Sequence, residues 1–300
     1  MSFTDYCSQT GKLLLACTVL LFVACESGKK KSGEASEEFN QAAEDLLQTV
    51  EKTMYNIPPP SDIPYMIQNT GADFNPNIVN SASNYESYLV DNKKAAFNLG
   101  IYATDVGYLS SYGKTQEALN YMDVCLKLAE AIGVQDAVDF DVLERFEQNL
   151  SNTDSLAVII DEVINNSEEY LQKSERTSLA ALVLGGTFVE GLYVATQIIV
   201  TYPKDLLPDD MRLTILSPIV LELAKQREPL GDLIKLLEGI EQKDEWIEAT
   251  LNSLNELHQN YEQFDPYQRI QDGKAHEVLN DEVLATLTRQ VDTIRSNIVY

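Results

Sequence analysis

From Phe39 to Tyr300 the apolar residues recur at helical intervals, and the alternation that marks strands is scarce. No other feature restricts the fold as much. Each amphipathic helix has one apolar stripe, and each stripe needs another helix to cover it. The expected class is all-α: an irregular antiparallel helical bundle. The material for a core is present, since 44% of the 300 residues are apolar. Disordered chains of comparable charge carry much less.

The breakers divide this pattern into segments. Residues 37–57 read as a first helix, stopped by Pro58-Pro59-Pro60. Residues 58–82 are rich in Pro, Asn, Ser and Gly and read as a long loop. Ser83-Asn84-Tyr85-Glu86 has capping-box spacing for the next helix. Helices are then expected over 84–112, 115–132, 136–150, 154–173 and 176–201. After Pro203 and Pro208 come 209–226, which Pro218 should kink or divide, then 229–241, 243–264 and 274–298. Short connections between such helices favour antiparallel neighbours. The stretch from Tyr112-Gly113-Lys114 to Ala131-Ile132-Gly133 looks like a tetratricopeptide-type hairpin, but no 34-residue period is sustained. A repeat-like array is therefore the second choice of architecture.

The first forty residues have a different character. Lys12 precedes an apolar run from Leu13 to Ala24, too short for the roughly 20 residues a bilayer span needs. It has the length of a signal-peptide core. Phe22-Val23-Ala24-Cys25 resembles a bacterial lipobox, in which a cysteine thiol takes a diacylglycerol and the chain is cut before it. Phe22 stands where leucine is usual. Glu26 to Glu38 is polar and reads as a tether. The expected organisation is a signal peptide over 1–24, a tether over 25–37 and one helical domain over 38–300. More than one acyl chain on Cys25 would anchor the protein stably in membrane lipid.

Charge excludes some partners. With 47 acids against 22 bases the net charge is −25. Nucleic acid is not an expected partner, because phosphate binding needs clustered Lys and Arg. Cys7 and Cys17 lie within the signal, so Cys125 is the lone body cysteine and can form no intramolecular disulfide. It shares an apolar face with Ala118, Met122, Ala129 and Ile132 and reads as core.

Two helices carry candidate binding residues. Near residue 100, Ala96, Gly100, Ala103 and Gly107 form a small-residue stripe on which another helix can approach closely. The opposite side holds Asn98, Tyr102, Asp105, Tyr108 and Tyr112. Tyrosines beside an acid can bind a sugar, a peptide or a cation, or they can pack with their hydroxyls satisfied internally. The stretch 179–200 is nearly all apolar and reads as a central buried helix. Gly186, Glu190, Tyr193 and Gln197 share one of its faces. A carboxylate in such a helix is costly unless paired, which singles out Glu190.

Familiar catalytic and metal patterns are missing. His276-Glu277-Val278-Leu279-Asn280 starts like a zinc-protease helix but lacks the second histidine. Asp73-Phe74-Asn75-Pro76-Asn77 alternates oxygen ligands as calcium loops do, without the turn glycine or the closing acid. No metal and no cofactor are expected, and no residue is assigned a catalytic role. From the Cys25 motif through Phe97–Asp105 to Glu190–Gln197, the chain resembles the uncharacterised helical lipoproteins of Bacteroidetes. That resemblance implies an envelope address and carries over no functional residue except Cys25. The expected function is a lipid-anchored binding or scaffold module of the outer membrane, facing the periplasm or the surface. Its partner there would be a small molecule or a protein. The alternative is a periplasmic hydrolase using Glu190 or Asp105 as acid or base.

Overall fold

The computed structural model describes residues 70–134, 142–149, 152–173, 176–205, 207–240 and 242–300. The signal segment, Cys25, the tether and the helix expected over 37–57 lie outside the described residues. Among those residues every regular element is helical, and the class is all-α. A 3-10 turn at Ala82–Ser87 precedes α1 (Asn92–Ser111), α2 (Thr115–Ala131), α3 (Val142–Gln148), α4 (Thr153–Lys173) and α5 (Thr177–Thr201). Next come α6 (Asp209–Lys225), α7 (Arg227–Glu238), α8 (Glu245–Tyr261), α9 (Tyr267–Gln271), α10 (Ala275–Leu279) and α11 (Glu282–Val299).

Several boundaries differ from expectation, for identifiable reasons. The helix expected over 84–112 is broken. Asp91 is extended, and its carboxylate accepts the backbone N–H groups of Lys93 and Lys94, so α1 starts there instead. The helix expected over 274–298 breaks in the same way at Asp281, which accepts from Val283 N–H. Pro218 neither divides nor ends α6. Proline has no N–H for the Thr214 carbonyl, and the Ser217 hydroxyl donates to it instead at 3.2 Å. The short α9 was not expected at all.

α5 forms the centre of the bundle. It is long and apolar enough to cross a membrane, but 94% of its most apolar window is buried inside the protein. It packs against α1, α4, α6, α7 and α11. A solenoid helix would touch only its sequence neighbours, so this is a bundle and not a repeat array. The α1–α5 contact is backbone against backbone. A Cβ on Gly100 would lie 2.1 Å from the Val183 carbonyl oxygen, and one on Gly186 would lie 1.8 Å from that of Phe97. Only glycine allows both approaches. The contacts advance together, from Phe97 beside Gly186 to Asp105 beside Glu190, so α1 and α5 run in the same direction.

Candidate functional site

Three buried ionisable side chains meet where α1, α5 and α11 converge. Glu190 and Asp105 are both fully buried, and Arg295 is 4% exposed. Arg295 grips Glu190 with a fork: Nε donates to Oε2 at 3.1 Å and Nη2 to Oε1 at 3.2 Å. The guanidinium lies over the Tyr193 ring, 4.5 Å from its centroid. Asp105 sits beside Glu190 and accepts the Asn80 backbone N–H on Oδ2 at 2.9 Å. Its Oδ1 meets no donor among the described residues.

The same cluster fastens the segment from Phe74 to Asn84, a strap laid across the bundle. Arg295 Nη2 donates to the Ile78 carbonyl at 3.2 Å. Tyr102 donates to the Ser81 carbonyl at 2.8 Å. The Tyr108 hydroxyl accepts from Asn75 N–H at 3.0 Å and donates to the Asn75 carbonyl at 3.3 Å. The Asn80 amide donates to the Tyr88 hydroxyl, which in turn donates to the Val299 carbonyl near the chain end at 2.8 Å. Up to Ser81 the strap lies outside regular structure, which leaves its backbone polar groups without a ladder. Side chains of α1 and α11 supply the missing partners.

Burial sets the electrostatics. Desolvation pushes the Asp105 carboxyl well above the usual range, and neighbouring Glu190 pushes it further against the pull of Arg295. Desolvation also raises Glu190, opposed by the Arg295 charge and by hydrogen bonds from Arg295 and Asp105. The hydroxyls of Tyr88, Tyr102, Tyr108 and Tyr193 are all raised, burial being the largest cause in each.

Of the residues singled out in the sequence, Glu190, Asp105, Tyr193, Tyr102 and Tyr108 are thus brought to this network or its strap. Tyr112 stands at its edge, 5.1 Å from the Tyr108 ring and 5.6 Å from that of Phe74. Asn98 lies apart, donating to the Lys94 carbonyl of its own helix at 3.0 Å. Gln197 is partly buried on α5 beyond Tyr193. Asn75 uses its Oδ1 to accept Asn77 N–H at 3.0 Å, closing its own turn. Cys125 is buried, and burial pushes its thiol up, as for an inert core cysteine. His276 lies at the surface, 3.1 Å from an Asp209 oxygen. Among the described residues no group of three or more His, Cys, Asp or Glu is placed to hold a metal ion.

Arg295 and Asn80 were missed in the sequence. The signal for Arg295 was present. Leu284, Leu287, Val291, Ile294 and Ile298 form the apolar stripe of α11, and Arg295 stands within that stripe. A cation at a core position calls for a buried acid elsewhere. Asn80 meets Asp105 through its backbone, which no side-chain pattern announces. No family model, no curated protein and no solved structure matches this chain.

Proposed function

We propose that the chain is a lipoprotein of the bacterial cell envelope, held in the outer membrane by acyl chains on Cys25. Its helical bundle serves as a binding or scaffold module for a small molecule or a protein there. The observation that carries the reading is the apolar run from Leu13 to Ala24, ending at a cysteine and followed by a polar tether. The geometry bears on the choice between binding and catalysis. A carboxylate-dependent hydrolase needs two acids that a substrate can reach. Asp105 and Glu190 do lie together, but both are fully buried and tied to the protein's own groups. That burial is why binding is preferred.

Metabolic labelling tests the anchor. Cells expressing the full chain are fed a tagged fatty acid, with Cys25→Ala as the control. The wild type should carry label and the variant none. Equal labelling of the two proteins overturns the proposal.

A further inference from the structure

We propose that Asp105 keeps its proton at neutral pH and donates it through Oδ1 to Glu190, so that ionising Asp105 loosens the Phe74–Asn84 strap. The argument begins with charge. Arg295 brings one positive charge into a site shut off from water, and two carboxylates would leave that site with a net negative charge. Uncompensated charge in such a place is expensive, and a proton is the cheapest remedy. Geometry then says which acid carries it. Both Glu190 oxygens accept from Arg295, the geometry of an ionised carboxylate. Asp105 Oδ2 accepts from Asn80, Oδ1 meets no donor, and the Asp105 and Glu190 carboxyl groups lie within side-chain hydrogen-bonding reach of each other. Two carboxyl groups can meet as hydrogen-bond partners only through a proton between them. Oδ1 of Asp105 is the atom free to hold it.

The groups facing Asp105 on every side fit this assignment. Glu190 comes from α5 and Arg295 from α11; Tyr121 and Cys125 come from α2, and Tyr102 and Tyr108 from α1 itself. The tyrosines and the cysteine are raised and stay neutral, so Arg295 is the one cation among them. Losing the proton would set two anions side by side against that single cation. Asp105 is also the acceptor for Asn80, so the strap answers directly to its state.

The sign follows from linkage. Unfolded, Asp105 titrates in the ordinary carboxyl range; folded, it titrates well above it. Its contribution to stability is complete below the unfolded value and fades as pH rises to the folded one. Between the two, each pH unit shifts the folding equilibrium about tenfold toward the unfolded chain.

Two measurements on the full chain test the assignment. In protein with carbon-13 at its aspartate carboxyls, one resonance should remain at the protonated position at pH 7. A spectrum in which every aspartate is ionised at pH 7 overturns the proposal. The second is amide hydrogen exchange at the strap, corrected for intrinsic rates, from pH 6 to pH 9. Protection at Asn80 should fall with pH in the wild type and hold in Asp105→Asn, whose amide both donates to Glu190 and accepts from Asn80. Glu190→Gln should instead lose protection at every pH, because Arg295 loses its counter-charge. The reverse order, with Glu190→Gln protected and Asp105→Asn loosened, would place the proton on Glu190 and overturn the assignment. Should Asp105→Asn fail to fold, that too counts against it, and the carboxyl spectrum of the wild type still decides.

Discussion

The inner helices α1 and α5 and the outer helices α8 and α11 are built on different terms. α8 and α11 each bury one stripe, such as Ile247, Leu251, Leu254 and Leu257, and leave the other side to water. α1 is buried without a break from Ala95 to Ser111, and α5 has almost no exposed side. An outer helix needs only apolar residues at the right period. An inner helix must fit neighbours all round, and its polar groups must find partners inside the protein. The close glycine contacts and the two acids of the charged triad are therefore found in the inner pair, and the outer helix α11 reaches in with Arg295 to pair them.

The largest effect should come from breaking that triad. Arg295→Met would leave Glu190 and Asp105 buried without their cation, and about 3–5 kcal/mol of stability should be lost. Lys127 on α2 makes a comparable-looking ion pair with Asp123 at 2.6 Å, but both side chains are about half exposed. There Lys127→Met should cost under about 0.5 kcal/mol. Urea unfolding of both variants checks the pair. Equal losses would show that burial does not set the value of a charge in this protein.

The next effect contrasts two glycines. A Cβ on Gly186 would be driven into the Phe97 backbone, which cannot yield without parting α1 from α5. Gly186→Ala should cost about 3 kcal/mol, the upper end for an overpacked core. On α7, a Cβ at Gly231 would meet only the His258 ring, at 3.2 Å. There the ring can swing aside, and alanine's helix propensity is worth about 1 kcal/mol. Gly231→Ala should be neutral or stabilising by up to that amount in a thermal melt. A mild Gly186→Ala would mean that the α1–α5 approach is looser than described.

The same division decides what could be read in the sequence. The outer helices keep half their surface in water, so their apolar period survives and marks them. α5 was legible for another reason: its length and continuous apolarity left burial as its natural fate, and Glu190 stood out as its exception. α1 was harder. Its glycine stripe pointed to a close helix contact, which Gly100 makes. Its tyrosine face allowed either a ligand surface or internal packing, and Tyr102 and Tyr108 hydrogen-bond to the strap. Nothing in the sequence said that a segment rich in Pro and Asn would lie there. Arg295 was overlooked because an arginine near the end of an amphipathic helix is ordinarily a solvated one. Its place in the apolar stripe of α11 is the clue that outweighs this.

Helix starts are the one place where inner and outer helices should respond alike. Asp91 opens α1 and Asp281 opens α11, each by accepting N–H groups of the first turn. Leu89 and Val90 continue the helical period up to Asp91, which is why the break there was invisible in the pattern. Capping is local, so the depth at which the rest of the helix is buried should hardly matter. Asp91→Ala should cost about 1 kcal/mol, and Asp91→Asn, which keeps an acceptor oxygen, only a small part of that. Asp281 has a second role, since it is also paired with Arg269. Asp281→Ala should therefore cost more than Asp91→Ala, and the excess should match the loss measured for Arg269→Gln alone. Thermal melts of the four variants give the numbers. If Asp91→Ala costs nothing, α1 is held by its packing alone, and the inner and outer helices differ even at their ends.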